Sequence, residues 1–290
     1  MVRDLVGRRV VAVHAHPDDE SIFTGGTLAQ LARRGADVTV VTCTLGEEGE
    51  VIGAPFGELV ADHADQLGGF RIAELTQALG HLGVRGEFLG AAGRFRDSGM
   101  VGSPAHDNPR AFVRRTDEAI ECLVEVFRRI RPEVVITYGP DGGYGHPDHI
   151  QAHRITHAAA EIVDVPRVVW ACADRAEMDE ALAAIDKIPA GWRVAQDQEI
   201  AAVDGFDAVI DLSDQDYYAK SAAMRAHATQ LWLADGSVSA TNPQAAYGHA
   251  SDGHTVFALS NLIAQPLLRR EHYRSGVGLP VSGTDLFAGL

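Results

Sequence analysis

A short β-branched run that ends in an acidic turn constrains this chain more than any other feature. Arg9-Val-Val-Ala-Val-His14 reads as a buried strand, and Ile22 to Ala32 carries apolar residues at helical spacing. Between them lies Ala15-His16-Pro17-Asp18-Asp19-Glu20. One imidazole and three carboxylates therefore crowd the turn where a first strand meets a first helix. In an open α/β sheet that turn lies at the carboxyl edge, where ligands bind. Gathering so many acids there is costly unless something positive sits among them, and a metal ion is the simplest candidate. His16 and Asp19 can point at one cation, with Asp18 beside it.

The same ingredients recur once. Glu133-Val-Val-Ile-Thr137 reads as another buried strand, and Tyr144-Gly145-His146-Pro147-Asp148-His149 follows it. His149 supplies a third ligand. Two histidines and one carboxylate with an open position form a catalytic set rather than a closed structural one.

The alternation of strand and helix predicts an α/β fold: a Rossmann-like open parallel sheet with helices on both faces. Further strands are expected at Asp37 to Cys43, Gly86 to Leu89, Arg167 to Ala171 and Ala208 to Leu212. Helices are expected at Arg71 to Leu82, Thr116 to Arg131, Pro147 to Ala160, Met178 to Asp186 and Asp216 to Leu233. In the strand order 3-2-1-4-5, strands 1 and 4 are neighbours at the switch point, so the two motifs meet in one crevice. Residues 1–172 make the core of a single domain spanning 1–290, and residues 173–290 read as an extension packed against it. Thr255 to Leu259 is the clearest late strand signal. The segments 45–69 and 90–108 read as long loops, a length that usually carries function.

The formal charge of −15 argues against nucleic acid, where Lys and Arg must neutralise phosphates. No apolar run approaches the roughly 18 residues that span a bilayer, and the amino terminus lacks the basic-then-apolar order of a signal peptide. Three cysteines, Cys43, Cys122 and Cys172, form no metal-type pair and suit a reducing, cytoplasmic setting. Dinucleotide binding fails locally: the first turn has no Gly-x-Gly-x-x-Gly, and its acids would repel a pyrophosphate. His149, His153 and His157 recur at helical spacing, but the rise along a helix carries His157 roughly 12 Å from His149, so one ligand at the helix start is the simpler reading. His14 reads as a supporting or core residue.

Ala15–Glu20 paired with His146–His149 resembles the LmbE-like (PIG-L-type) zinc N-deacetylases. Three further stretches, Cys43–Gly53, Arg71–Leu75 and Arg94–Met100, join Ala222–Gln230 in resembling the deacetylase branch of mycothiol biosynthesis, which removes acetate from N-acetylglucosaminyl-inositol. The resemblance implies one Zn²⁺ per chain (Fe²⁺ is possible in the cell) on His16, Asp19 and His149. It implies Asp18 as general base, Tyr144 and His146 as donors to the oxyanion, and Asp148 as the residue that orients His146 or keeps it protonated. It implies that Arg71, Asp97, Glu50 and Met100 contact an N-acetylated amino sugar linked to inositol. The amidase of mycothiol conjugates shares the metal chemistry and stays open as an alternative. Remoter alternatives are a non-haem iron oxygenase, which uses the same ligand types but has no need of a base such as Asp18, and an inactive sugar-binding module.

Overall fold

The computed structural model describes residues 3–243 and 245–290. Strand β1 (Arg9–His14) leads into helix α1 (Asp19–Arg33), followed by β2 (Asp37–Thr42), α2 (Leu67–Leu82), β3 (Arg85–Phe88), α3 (Thr116–Ile130), β4 (Val134–Tyr138), α4 (Pro147–Val163) and β5 (Arg167–Cys172). The remainder contains α5 (Arg175–Ala183), β6 (Ile185–Lys187), β7 (Arg193–Val194), β8 (Ala208–Asp211), α6 (Asp214–Ala226), β9 (Leu231–Leu233), β10 (His249–Ala250), β11 (Thr255–Leu259), β12 (Ile263–Leu267) and β13 (Arg270–Gly278).

The central sheet runs β3-β2-β1-β4-β5-β13-β8. Its first five strands pair in parallel, in the order expected for a doubly wound sheet. The alternation along β1 explains why both faces are covered. Val10 and Ala12 face a core that includes Leu28 and Leu31 of α1 and Met224 of α6. Val11 and Val13 face the opposite core, with Leu123 and Phe127 of α3 and Ile155 of α4. Side chains of a strand point to alternate faces, so a strand apolar at every position is one buried on both sides. Close packing also fixes Gly26 in α1, where an added Cβ would lie 2.3 Å from Leu212 Cδ1.

The later part of the chain departs from the expectation. It does not only pack against the sheet: β13 enters it between β5 and β8, antiparallel to both. In β13, Glu271 and His272 are buried on polar partners, while Tyr273 packs into the apolar core. The helix expected to reach Leu233 stops at Ala226, and Leu231–Leu233 pair with β11 instead. The helix expected at 178–186 spans Arg175–Ala183, with Asp174 accepting from the Glu177 N–H as its N-cap. A second sheet, β7-β12-β11-β9, and the small β10-β6 pair complete the C-terminal part.

Both β1 and β4 end at the same edge of the sheet, side by side. The turn after β1 and the loop after β4 therefore face each other there.

Candidate metal centre and active-site cleft

Three donor groups converge at that edge: two imidazoles and one carboxylate. His16 Nδ1 lies 3.5 Å from Asp19 Oδ2, His149 Nε2 lies 3.4 Å from Asp19 Oδ1, and the two nitrogens are 3.3 Å apart. Ligand atoms about 2.0–2.1 Å from a tetrahedral zinc ion sit roughly 3.3–3.4 Å from one another. The two nitrogens have that spacing, and each lies near it from a different oxygen of Asp19, so the three groups outline a triangle of the size a small divalent cation takes. All three side chains are buried.

The surrounding bonds select the tautomers that a cation needs. His149 Nδ1 bonds the Gly142 carbonyl at 3.1 Å, leaving Nε2 as the lone-pair nitrogen. His16 Nε2 faces Asp148 Oδ2 at 3.3 Å and Asp97 Oδ1 at 3.6 Å, leaving Nδ1 free to ligate. Asp19 Oδ2 accepts from the His16 N–H at 2.9 Å and from the Tyr138 hydroxyl at 2.7 Å. Tyr138 also accepts from the Ala15 N–H at 2.8 Å and stacks on His149 at 4.2 Å between ring centres. Among the described residues, the trios that bring one atom per residue within 4.8 Å of one another are His16–His146–His149, with Asp19 beside it, and His16–Asp97–Asp148. The second is a support rather than a cation site. The N–H groups of Ser98 and Gly99 already point at its carboxylates, at 2.9 and 2.8 Å. In the first, His146 Nδ1 is occupied by the N–H of Asp148 at 3.1 Å, so only Nε2 is left to face the cleft.

The GlcNAc-PI de-N-acetylase (PIG-L) family model matches residues 11–160, a range that holds both motifs and includes His16, Asp19 and His149. A 1D-myo-inositol 2-acetamido-2-deoxy-alpha-D-glucopyranoside deacetylase of Corynebacterium diphtheriae is 60% identical over 292 residues, covering 100% of each chain. The chain belongs to the PIG-L family. Among solved structures, the zinc-inhibited form of the teicoplanin deacetylase Orf2 shares the fold, with a TM-score of 0.52 at 20% identity over 76% of this chain and 84% of that one. The fold alone does not select the reaction. GalB, a 4-carboxy-2-hydroxymuconate hydratase from Pseudomonas putida, also has a TM-score of 0.52, at 18% identity over 96% of this chain and 100% of that one. Membership of the PIG-L family rests on the sequence, and it agrees with the resemblance carried by the paired motifs.

Within this PIG-L site Asp18 stands apart from the donor triangle. Its carboxylate meets Arg71 Nη2 at 3.2 Å and makes no cap bond to α1. Burial pushes the Asp18 carboxyl up to about 7, assisted by Asp19 and opposed by Arg71. For Asp19 burial also works upward, but His149 and His16 outweigh it and hold the carboxyl well below its usual range. Burial lowers His149 to about 4 and His146 to about 3, and the neighbouring His16 pushes both further down. Burial thus favours the neutral form of both imidazoles, the form that can ligate a cation or both donate and accept a hydrogen bond.

His146 and Asp148 divide their work differently from the expectation. The Asp148 carboxylate does not orient His146; it bonds His16 and the Ser98 N–H. The backbone N–H of Asp148 does the orienting, because it ends the turn that caps α4, and this leaves the His146 Nε2–H directed at the cleft. The Tyr144 hydroxyl lies 3.5 Å from His149 Nε2, at the rim of the donor triangle.

A cavity of about 520 Å³ opens from this centre, and Arg71, Asp97, Glu50 and Met100 all line it. Arg71 is 3% exposed and is tied to the carbonyls of Gly46 and Pro17 as well as to Asp18. Asp97 is equally buried; its carboxylate accepts from Gly99 and Glu48 N–H groups and faces His16. Met100 is exposed at the mouth. Lys220 and Gln230, from the C-terminal part, also reach the wall; Gln230 ends the Ala222–Gln230 stretch of the resemblance, whereas Lys220 carried no sequence signal. Tyr138 was legible only by position, as an aromatic at the carboxyl end of β4.

The histidine stripe on α4 has other duties. His153 bonds the Tyr138 carbonyl at 2.9 Å, and His157 accepts from Trp170 Nε1 at 2.9 Å. His14 is wholly buried between Thr24 and Tyr138. Among the described residues no helix is long and apolar enough to cross a membrane.

Proposed function

We propose that the chain hydrolyses the acetamide of an N-acetylglucosaminyl-inositol, releasing acetate and the free amine, as in mycothiol biosynthesis. The observation that carries this reading is a donor triangle of cation-binding size with an unligated, raised carboxyl, Asp18, next to it. The deacetylase relative, alike along its whole length, supports the substrate class.

In this reading His16, Asp19 and His149 hold a divalent ion, zinc. When bound, such an ion supplies a Lewis acid that lowers the pKa of a water toward neutrality. Asp18 takes the proton from the attacking water. A base with a pKa near the working pH combines the correct protonation state with useful basicity. Arg71 limits how far burial can raise Asp18 and fixes the direction of its carboxylate. As the carbonyl carbon becomes tetrahedral, negative charge grows on its oxygen. The His146 Nε2–H and the Tyr144 hydroxyl are the neutral donors that face that charge. Asp18 then returns its proton to the leaving nitrogen. His146 is the weaker candidate for that step, since it stays neutral near pH 7.

Arg71, Asp97, Glu50 and Met100 form the sugar-facing wall. Arg71 and Asp97 act in it largely by holding Asp18, His16 and the loop backbone in place, whereas Glu50 and Met100 are free to meet the ligand. The test is a direct comparison on metal-loaded protein. Acetate release from N-acetylglucosaminyl-inositol should exceed amide cleavage of a mycothiol conjugate. Preference for the conjugate would overturn the substrate assignment, and activity on neither would overturn the reaction.

A further inference from the structure

Glu20 ends the first motif, yet it is neither part of the donor triangle nor on the cavity wall. It is wholly buried, and so is His227, which follows α6. His227 Nε2 lies 2.7 Å from Glu20 Oε1, which also accepts from Ser21 Oγ at 2.5 Å. The other oxygen, Glu20 Oε2, accepts from the backbone N–H of Asp18 at 3.0 Å. The carboxylate thus joins the end of one helix to the peptide of the residue read above as the base.

That peptide is unusual. Asp18 has φ 120° and ψ −32°, whereas the other non-glycine residues with positive φ lie between 51° and 59°. A side chain at φ 120° persists only where its surroundings over-determine it. Here the over-determination is visible. At the N-terminus of a helix the first residue commonly spends its own carboxylate on capping. Asp18 does not cap α1, and Glu20 satisfies the Asp18 N–H from two residues further on. The Asp18 carboxylate is thereby released to face Arg71 and the cleft.

We propose that the buried Glu20–His227 pair positions the Asp18 carboxylate for its task. It rests on the reading of Asp18 as general base. His227 touches neither the donor triangle nor the cavity, so it acts through Asp18 alone and counts as a positioning residue. It also gives the C-terminal part a role in the chemistry, since α6 delivers the one imidazole that locks Glu20. Glu74 and Asp18 are the other acidic groups near this imidazole.

A double-mutant cycle between His227 and Asp18 tests it, with kcat, KM, bound metal and thermal midpoint read for each protein. Misplacing a reacting group by about 1 Å can cost roughly 10²-fold, so His227→Ala should lower kcat about 10- to 100-fold with metal content and KM near their original values. His227→Gln, which keeps an N–H donor, should recover most of that loss. In an Asp18→Asn background, already slow, His227→Ala should cost less than about twofold, because the group it positions is gone. Equal losses in both backgrounds would overturn the positioning role and leave His227 a general stabiliser. A near-normal Asp18→Asn protein would instead overturn the general-base reading itself. Should His227→Ala not fold, His227→Asn, whose amide falls short of Glu20, takes its place in the same cycle.

Discussion

Replacing Tyr138 by Phe removes one oxygen and its three hydrogen bonds, to the Ala15 N–H, to Asp19 Oδ2 and to His14 Nδ1. The ring stays stacked on His149, so packing changes little. The two shorter of the lost bonds have separable effects. The Ala15 N–H is wholly buried and loses its acceptor, a cost of about 1–3 kcal/mol in folding stability. Asp19 Oδ2 loses the 2.7 Å hydroxyl donor but keeps the His16 N–H. Bonds that orient a ligand in this way typically govern metal affinity by about 10–100-fold, or roughly 1.4–2.7 kcal/mol. Urea unfolding of chelator-treated protein reads the first effect, and calorimetric zinc titration of the folded protein reads the second. Both should appear. A variant that is less stable yet binds zinc within twofold of the original would refute the claim that Tyr138 orients Asp19.

Four further outcomes are expected. His149→Ala should abolish tight binding of the cation; full occupancy in elemental analysis of that variant would point to another site. Asp18→Asn should keep metal and slow turnover by about 10²–10⁴-fold, and a near-normal rate would move the base elsewhere. Gly26→Ala should destabilise the fold by about 1–3 kcal/mol in urea titration, because the new methyl meets Leu212 without room to shift; a neutral result would mean that α1 slides freely on Leu212. Asp216 accepts from Arg33 Nε at 2.8 Å and Nη2 at 2.7 Å; burial works upward on its carboxyl, but Arg33 and Ser213 outweigh it and hold it below the usual range. A depressed carboxyl contributes stability above its unfolded pKa, about 3.9, and loses it as pH falls through the folded value, so Asp216→Asn should show a shallower loss of stability in acid.

Local sequence carried the site further than it carried the C-terminal part. The cores of the two runs, Val10–Val13 and Val134–Ile136, are apolar at every position, which marks buried parallel strands. Their motifs then converge by the topology of such sheets. The juxtaposition of His16, Asp19 and His149 at one sheet edge was therefore legible without coordinates. What escaped depends on partners distant in sequence. The segment Arg270–Gly278 has too many polar residues to read as a central strand; its burial makes sense only once Glu271 meets Lys220 and the α1 N–H groups. The stop of α6 at Ala226 is likewise non-local. Leu231 and Leu233 extend the helical apolar pattern, but His227 turns inward to Glu20 and the next residues join a sheet. The division of labour at Asp148, side chain to His16 and backbone to His146, is a matter of atom directions that no spacing encodes.

The position of β13 has a consequence for incomplete chains. β8 pairs with the sheet only through β13, and its other side is met by the loop around Gly283. A chain interrupted after Arg269 would leave β5 with an open edge and β8 without a strand partner. Unpaired strand edges template pairing with other chains, and β5 is rich in β-branched residues. Fragments lacking the last strand should therefore scatter light and sediment as aggregates, where the intact chain keeps both edges covered. β13, although late in the chain, is thus what closes the edge that β5 would otherwise present.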